Sequence, residues 1–265
     1  MKIRPVVVTT QAVAEASTVD HGAAIKSRHG TFAKLVRAIT EGFGEGSTYV
    51  DDTNSGAAVS TFMAIGHEAV FSPGSAVLFF EDDVEMCPEA PAIIKAVASD
   101  WPDDVGVISF CDMREIPSGS DPGLYHLNAL GSDRLGWWGN QCLLIHPDVV
   151  THLANSNWFS AEICSHPGIA SHVVAYQDHG LQCSDKRMSL VVHSGPRPLY
   201  AVHVPSLVKH VGQSSICFGG RTMGERETRN LHPYWQKTTT TRASTLMTMA
   251  EYHQGASLPS LTITG

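Results

Sequence analysis

Three consecutive carboxylates, Glu81-Asp82-Asp83, stand directly behind the apolar run Ala76-Val77-Leu78-Phe79-Phe80. Like charges this close repel, so the triplet is costly unless a cation or a basic ligand neutralises it. Hard carboxylate oxygens suit Mg2+ or Mn2+, and a divalent ion that keeps open coordination positions suits a diphosphate. Asp83 is the acid whose position and neighbours favour a metal role. Asp82 and Glu85 read equally well as acids that complement the dipole of a helix beginning near Pro88. A second set of potential ligands, Cys164, His166, His172, His179 and Cys183, draws on an unusual fourteen histidines. Its spacing matches no common zinc module, and coincidence is the better reading. No Cys-x-x-Cys occurs among the six cysteines, which read as buried thiols.

These groups need a scaffold, and the hydrophobic pattern supplies one. Pro5 to Thr10 is a β-branched run expected to form a buried first strand. Phe32, Leu35, Val36, Ile39 and Phe43 recur at helical spacing and stop at the glycines between Gly42 and Gly46. Thr48 to Asp51 reads as a second strand. Asn54-Ser55-Gly56 can cap a helix in which Val59, Phe62, Met63 and Ala69 share a face. Ser72-Pro73-Gly74 turns the chain into the apolar run, a strand of the kind covered on both faces. Pro88 suits a first helical turn, followed by Ala90, Ile93, Ile94, Val97 and Ala98 at helical spacing. Val105 to Phe110 and Gln141 to Ile145 are further strands, Pro147 to Ala154 and Pro167 to Gln177 helices, Met188 to Val192 and Leu199 to Val204 late strands. The Gly-, Ser- and Asp-rich stretch from Ser118 to Trp138 reads as a long loop. The alternation predicts an α/β fold with a mostly parallel sheet and helices on both faces, which binds ligands at strand carboxyl ends.

Composition narrows the class. The chain has 265 residues, 43% of them hydrophobic and 17% charged, enough for a packed enzyme-sized domain. A single domain over residues 1–237 and a Ser/Thr-rich tail over 238–265 are expected. No apolar run approaches the ~20 residues of a membrane-spanning helix, and the N-terminus lacks a signal-like apolar region, so a cytoplasmic protein is expected. Nothing calls for an obligate protein partner. The net charge of −8 is uneven: residues 81–121 hold eleven acids against two bases, while 205–265 carry an excess of three bases. An acidic centre suits a cation, and a basic end suits phosphates.

With strand and triplet in this order, Phe79-Phe80-Glu81-Asp82-Asp83-Val84 resembles the metal motif of glycosyltransferases of the GT-A (Rossmann-like) fold. A second segment, Val204-Pro205-Ser206-Leu207-Val208-Lys209-His210-Val211-Gly212 followed by Ser214-Ser215, is similar to one in bacterial, phage and N-acetylglucosaminyltransferase-IV-like members. The resemblance spans roughly Arg4 to Ser215, strong at these two motifs and thin between them.

It implies a nucleotide-sugar donor, UDP-linked by preference, and a Mn2+ or Mg2+ ion held by Asp83 and His210. A neutral imidazole and a carboxylate on two different loops would leave room for phosphate oxygens and water. Glu81 and Asp82 then line the donor site, and Lys209 and Ser214 face phosphates, although Lys209 reads equally as a solvated surface charge. Asp51 and Asp52 end the second strand where relatives contact the nucleoside, with one of the two expected to be a turn residue. Thr9 and Thr10 line the same crevice or simply favour the strand. Gly136-Trp137-Trp138-Gly139-Asn140-Gln141 resembles the loop that shapes the sugar and acceptor pocket, against a reading of core tryptophans. Tyr176-Gln177-Asp178-His179 stands where the family carries an x-Glu-Asp motif; Gln177 departs from it, leaving Asp178 as general base, with His179 as rival and a helix cap as the bland reading. Soluble phage relatives sugar-modify hydroxymethylated DNA bases, which Trp137, Trp138 and the basic segment from Arg221 to Arg242 would suit. Cell-surface polysaccharide or lipopolysaccharide precursors are the other acceptor class. A nucleotidyltransferase would also pair acids with a metal, but Thr9-Thr10-Gln11-Ala12 lacks the glycines and base of its phosphate loop.

Overall fold

The computed structural model describes residues 1–16, 23–53, 55–112, 116–127, 130–131, 134–135, 140–167, 169, 184–211, 228 and 230–236. In chain order the elements begin β1 (Ile3–Thr10), α1 (Gln11–Ala14), α2 (Ala23–Phe43), β2 (Ser47–Asp51), α3 (Ala57–Phe71) and β3 (Ala76–Glu81). They continue β4 (Val84–Met86), α4 (Ala90–Ser99), β5 (Val105–Ser109), β6 (Gly123–Leu127), β7 (Leu130–Gly131), β8 (Arg134–Leu135) and β9 (Cys142–Ile145). After α5 (Pro147–Asn155) and α6 (Ala161–Ser165) come the helix Ser184–His193, β10 (Leu199–Val204), β11 (Val208–His210) and a helical turn at Pro233–Gln236. None of the described helices is long and apolar enough to cross a membrane.

The α/β expectation holds. A seven-stranded sheet runs in the order β2-β1-β3-β9-β5-β10-β6. β1 pairs in parallel with β2 and β3, and β5 with β10, while β9 lies antiparallel between β3 and β5 and β6 antiparallel at the edge. Five strands therefore share one direction. Side chains alternate across the sheet: Val77 and Phe79 of β3 enter one core, and Ala76, Leu78 and Phe80 enter the other. The first core packs against α3, α5 and the helix Ser184–His193, the second against α2 and α4. Both faces of β3 are thus covered, which is why its sequence is apolar without interruption. Burying side chains such as Leu78, Phe79 and Phe80 is worth about 1.5–3 kcal/mol each.

Several local expectations change. Met188 to Val192 is helix, not strand: Met188, Val191 and Val192 are buried at i, i+3 and i+4, a helical spacing that the short valine pair obscured. The supposed loop from Ser118 contains β6, whose Gly123 and Tyr125 are buried on alternate positions. In α3 the buried side is Ala58, Thr61, Ala64, Ile65 and Glu68, while Met63 is 47% exposed. Of the expected face, Phe62 and Ala69 are partly buried against the first core. Pro91, not Pro88, occupies the first turn of α4, and Glu89 is its N-cap. Most of the helix expected at 167–177 and the whole tail at 238–265 lie outside the described residues.

One packing constraint is tight enough to test. A Cβ on Gly106 in β5 would lie 2.2 Å from the Arg197 carbonyl oxygen and 2.9 Å from Val149 Cγ2. The backbone before β10 can approach β5 only because this residue has no side chain. Gly106→Ala is therefore expected to cost about 1–3 kcal/mol, read as a lower urea midpoint with an unchanged slope.

Candidate functional site

The parallel register sets the site. Thr10 is aligned with Asp51, and Val8 with Glu81, so the carboxyl ends of β2, β1 and β3 form one rim. The chain leaves β3 through Asp82 and Asp83 and returns as β4, which pairs with β11 so that His210 stands opposite Val84. Val211 N–H donates to the Asp83 carbonyl at 2.9 Å, closing the end of this ribbon. The histidine reaches the acidic triplet because of that antiparallel pairing.

Glu81, Asp83 and His210 each offer a ligand atom, and these atoms lie within 4.8 Å of one another. His210 Nε2 is 3.3 Å from Asp83 Oδ2. Asp83 Oδ1 is buried without a hydrogen-bond partner among the described residues. An orphaned carboxylate oxygen beside an imidazole and a second carboxylate is a donor set that fits a divalent cation. Glu81 is oriented by Gln141, whose Nε2 donates to Glu81 Oε2 at 3.1 Å from the start of the antiparallel strand β9.

The triplet divides its work. Asp82, only 1% exposed, accepts from Thr9 Oγ1 at 2.5 Å and from Arg28 Nε at 2.6 Å. Arg28, on α2, also lies 3.4 Å from Asp83 Oδ2. Burial alone would lower the Arg28 pKa, yet the charges of Asp83 and Asp82 hold it above its ordinary value. Burial pushes Asp82 upward, which the charge of Arg28 only partly offsets. Burial also works against ionised Asp83, but Arg28 and the His210 hydrogen bond outweigh it and hold the group down at about 2. Arg28 is the residue that sequence reasoning missed. The available signal was the triplet itself, since buried like charges require a nearby cation, although nothing local said which one.

Other expected site residues are placed as follows. Asp51 is 7% exposed and its carboxylate accepts from Ser55 N–H at 2.9 Å, Ser60 Oγ at 2.7 Å and Thr53 Oγ1 at 3.2 Å. It builds the turn into α3, while the adjacent Asp52 is exposed on the rim. Those hydrogen bonds pull Asp51 below the usual carboxylate range although burial opposes it. Thr10 Oγ1 is buried without a partner among the described residues and sits at the rim. Lys209 is exposed on β11. Asn140 is 1% exposed and donates to Ser184 Oγ at 3.0 Å, tying the approach to β9 to the start of the helix Ser184–His193. Trp137, Trp138, Gly139, Asp178, Ser214, His172 and Cys183 lie outside the described residues. Cys164 is exposed and lies 3.5 Å from Arg187 Nη1, a cationic neighbour unsuited to a metal ligand. Cys87, Cys111 and Cys142 are buried and not disulfide-bonded, as expected.

No family model matches the chain, and no curated protein matches it. Among solved structures it is similar to a glycosyltransferase involved in glycosylation of the major capsid of PBCV-1, at 12% identity and a TM-score of 0.37 over 81% of this chain and 95% of that one. It is also similar to a mannose-1-phosphate geranyltransferase from Thermus thermophilus, at 9% identity and a TM-score of 0.40, covering 80% and 77% of the two chains. A third likeness is a glucose-1-phosphate thymidylyltransferase from Bacillus anthracis, described as putative, at 9% identity and a TM-score of 0.35 over 79% and 90%. At such identities and TM-scores, chemistry has to be read from the residues themselves.

Removing Arg28 tests the charge balance. In Arg28→Met the carboxylates of Asp82 and Asp83 lose their cation, and a loss of about 3–5 kcal/mol is expected near neutral pH. In the native chain the lowered Asp83 stabilises the fold above about pH 4, and this contribution is lost as pH falls toward about 2. In the variant the folded-state carboxyls bind protons more readily than the unfolded ones, so stability rises as pH is lowered from about 7 toward 5. Urea unfolding across that interval should therefore show the gap between the two proteins narrowing.

Proposed function

We propose that this protein is a divalent-metal-dependent glycosyltransferase that moves a sugar from a nucleotide diphosphate donor, UDP-linked by preference, to an acceptor hydroxyl. The observation that carries the reading is the convergence of Glu81, Asp83 and His210, with an orphaned buried oxygen on Asp83, at the carboxyl end of β3. A bound Mn2+ or Mg2+ would neutralise charge that develops on the departing diphosphate.

The chain's own residues have separable tasks in this reading. Asp83, His210 and Glu81 hold the ion. Asp82 and Arg28 fix the loop that presents Asp83, and Thr9 anchors that loop to β1. The exposed Asp52 and the hydroxyl of Thr10 face the nucleoside end of the donor, while Asp51 shapes the turn that presents them. Lys209 and Ser214 bind phosphate oxygens, with Lys209 acting as a point charge. Trp137, Trp138 and Gly139 form the sugar and acceptor pocket, and Asn140 secures its base against Ser184. Asp178 takes the acceptor proton as the glycosidic bond forms. The acceptor class to examine first is a hydroxymethylated DNA base, whose exposed hydroxyl and flat ring suit paired tryptophans; glycan precursors are the comparison.

The test is UDP release from UDP-sugars, with and without Mn2+, together with mass spectrometry of nucleic acid and glycans from expressing cells for a sugar-sized increment. Asp83→Asn and His210→Ala are each expected to lower kcat by on the order of a hundredfold or more, with loss of Mn2+ binding by calorimetry. Full turnover at saturating donor in both variants would overturn the metal assignment.

A further inference from the structure

Two groups of potential metal ligands stand out among the described residues, and the second lies apart from the triplet. It comprises Cys87, Glu89 and His232, whose ligand atoms also lie within 4.8 Å of one another. Cys87 follows β4 directly and is wholly buried. Glu89 is the N-cap of α4 but makes no capping hydrogen bond with its side chain. Its Oε2 is buried with no hydrogen-bond partner among the described residues. His232 comes from the far end of the described chain, immediately before the turn Pro233–Gln236.

We propose that Cys87, Glu89 and His232 form a second, structural metal site that takes a zinc-type divalent ion and clips the C-terminal segment to the β4–β11 ribbon. One sulfur, one imidazole nitrogen and one carboxylate oxygen make a borderline-soft donor set, suited to Zn2+ rather than to the hard ions that suit Glu81 and Asp83. Three protein ligands leave one position for water. The orphaned Glu89 oxygen beside a buried thiol is the local cost that such an ion would relieve. Metal binding would form the sulfur–metal bond and release the thiol proton to solvent.

The backbone around the triad explains what a clip would fasten. Cys87 N–H donates to the Leu207 carbonyl at 3.0 Å, His232 N–H to that of Ser206 at 3.0 Å, and Ser206 N–H to that of Asn230 at 2.7 Å. Three segments distant in sequence therefore meet here: the β4–α4 junction, the approach to β11, and residues 230–236. The ribbon has a candidate metal triad at each end, Asp83 and His210 at one and Cys87 with its partners at the other. An ion joining residues 87 and 232 would remove much of the loop freedom between them in the unfolded chain. It would also fix the strand on which His210 is carried.

The experiment uses the full chain, stripped with a chelator and titrated with Co2+ and Zn2+. The wild type is expected to bind about one Co2+ with an intense thiolate-to-cobalt charge-transfer absorption, and Zn2+ should displace it. Cys87→Ser abolishes that absorption, His232→Ala and Glu89→Gln weaken or abolish it, and Asp83→Asn and Cys164→Ser retain it. Zn2+ should raise the thermal midpoint of Asp83→Asn, in which the other site is disabled, and leave that of the double variant Asp83→Asn/His232→Ala unchanged. Should Cys87→Ser fail to fold, His232→Ala and Glu89→Gln decide through the same absorption. The absence of a thiolate band in the wild type, or its persistence in folded Cys87→Ser or undiminished in His232→Ala, overturns the proposal. Retention of the band in Asp83→Asn separates this site from the one assigned to the donor.

Discussion

The arrangement at the carboxyl end of β3 depends on how two adjacent carboxylates, Asp82 and Asp83, are kept in a nearly water-free place. Asp82 spends its oxygens on Thr9 and Arg28 and thereby holds the loop. Asp83 shares Arg28 more distantly, meets His210 with one oxygen, and keeps the other without a partner among the described residues. A single guanidinium, whose planar fork can serve more than one acid, thus separates an anchoring carboxylate from a presenting one. A lysine could balance one charge but could not span both geometries in the same way.

Topology supplies the rest of the positioning. Parallel pairing of β1 with both β2 and β3 aligns three strand ends, so short-range residues such as Thr10, Asp51 and Glu81 become neighbours without long side chains. The antiparallel insertion of β9 next to β3 brings Gln141 to Glu81, a contact that a continuing parallel sheet would not provide. The small ribbon of β4 and β11 then carries His210 across the top of the loop. Each of these connections is made by backbone pairing, which leaves the functional side chains to face one another.

Much of this was legible in the sequence where periodicity is strong. The uninterrupted apolar run of β3 and the helical spacing of Leu35 and Ile39 identify elements that the structure contains, because burial on two faces or on one stripe leaves a direct mark on composition. Met188 to Val192 was misread because five residues with two adjacent valines do not distinguish period two from period 3.6. The acidic triplet pointed to its own location, yet Arg28 did not. Its position is set by the docking of α2 over β4, a tertiary fact with no local signature. Asp51 illustrates the same limit: its type and place at a strand end suggest ligand contact, and only the Ser55 and Ser60 hydrogen bonds reveal a turn-building role.

Charge counting connects the two halves of this picture. Glu81, Asp82 and Asp83 carry three formal negative charges, and Arg28 balances one of them. The remainder matches one divalent cation, so the site is closer to neutral with such an ion than with the monovalent ions of the solvent. Lys209, the described basic residue of the ribbon, is exposed opposite Glu85, on the strand face away from that of His210. The internal arginine sets how many positive charges the centre lacks, and the ribbon brings the histidine beside it.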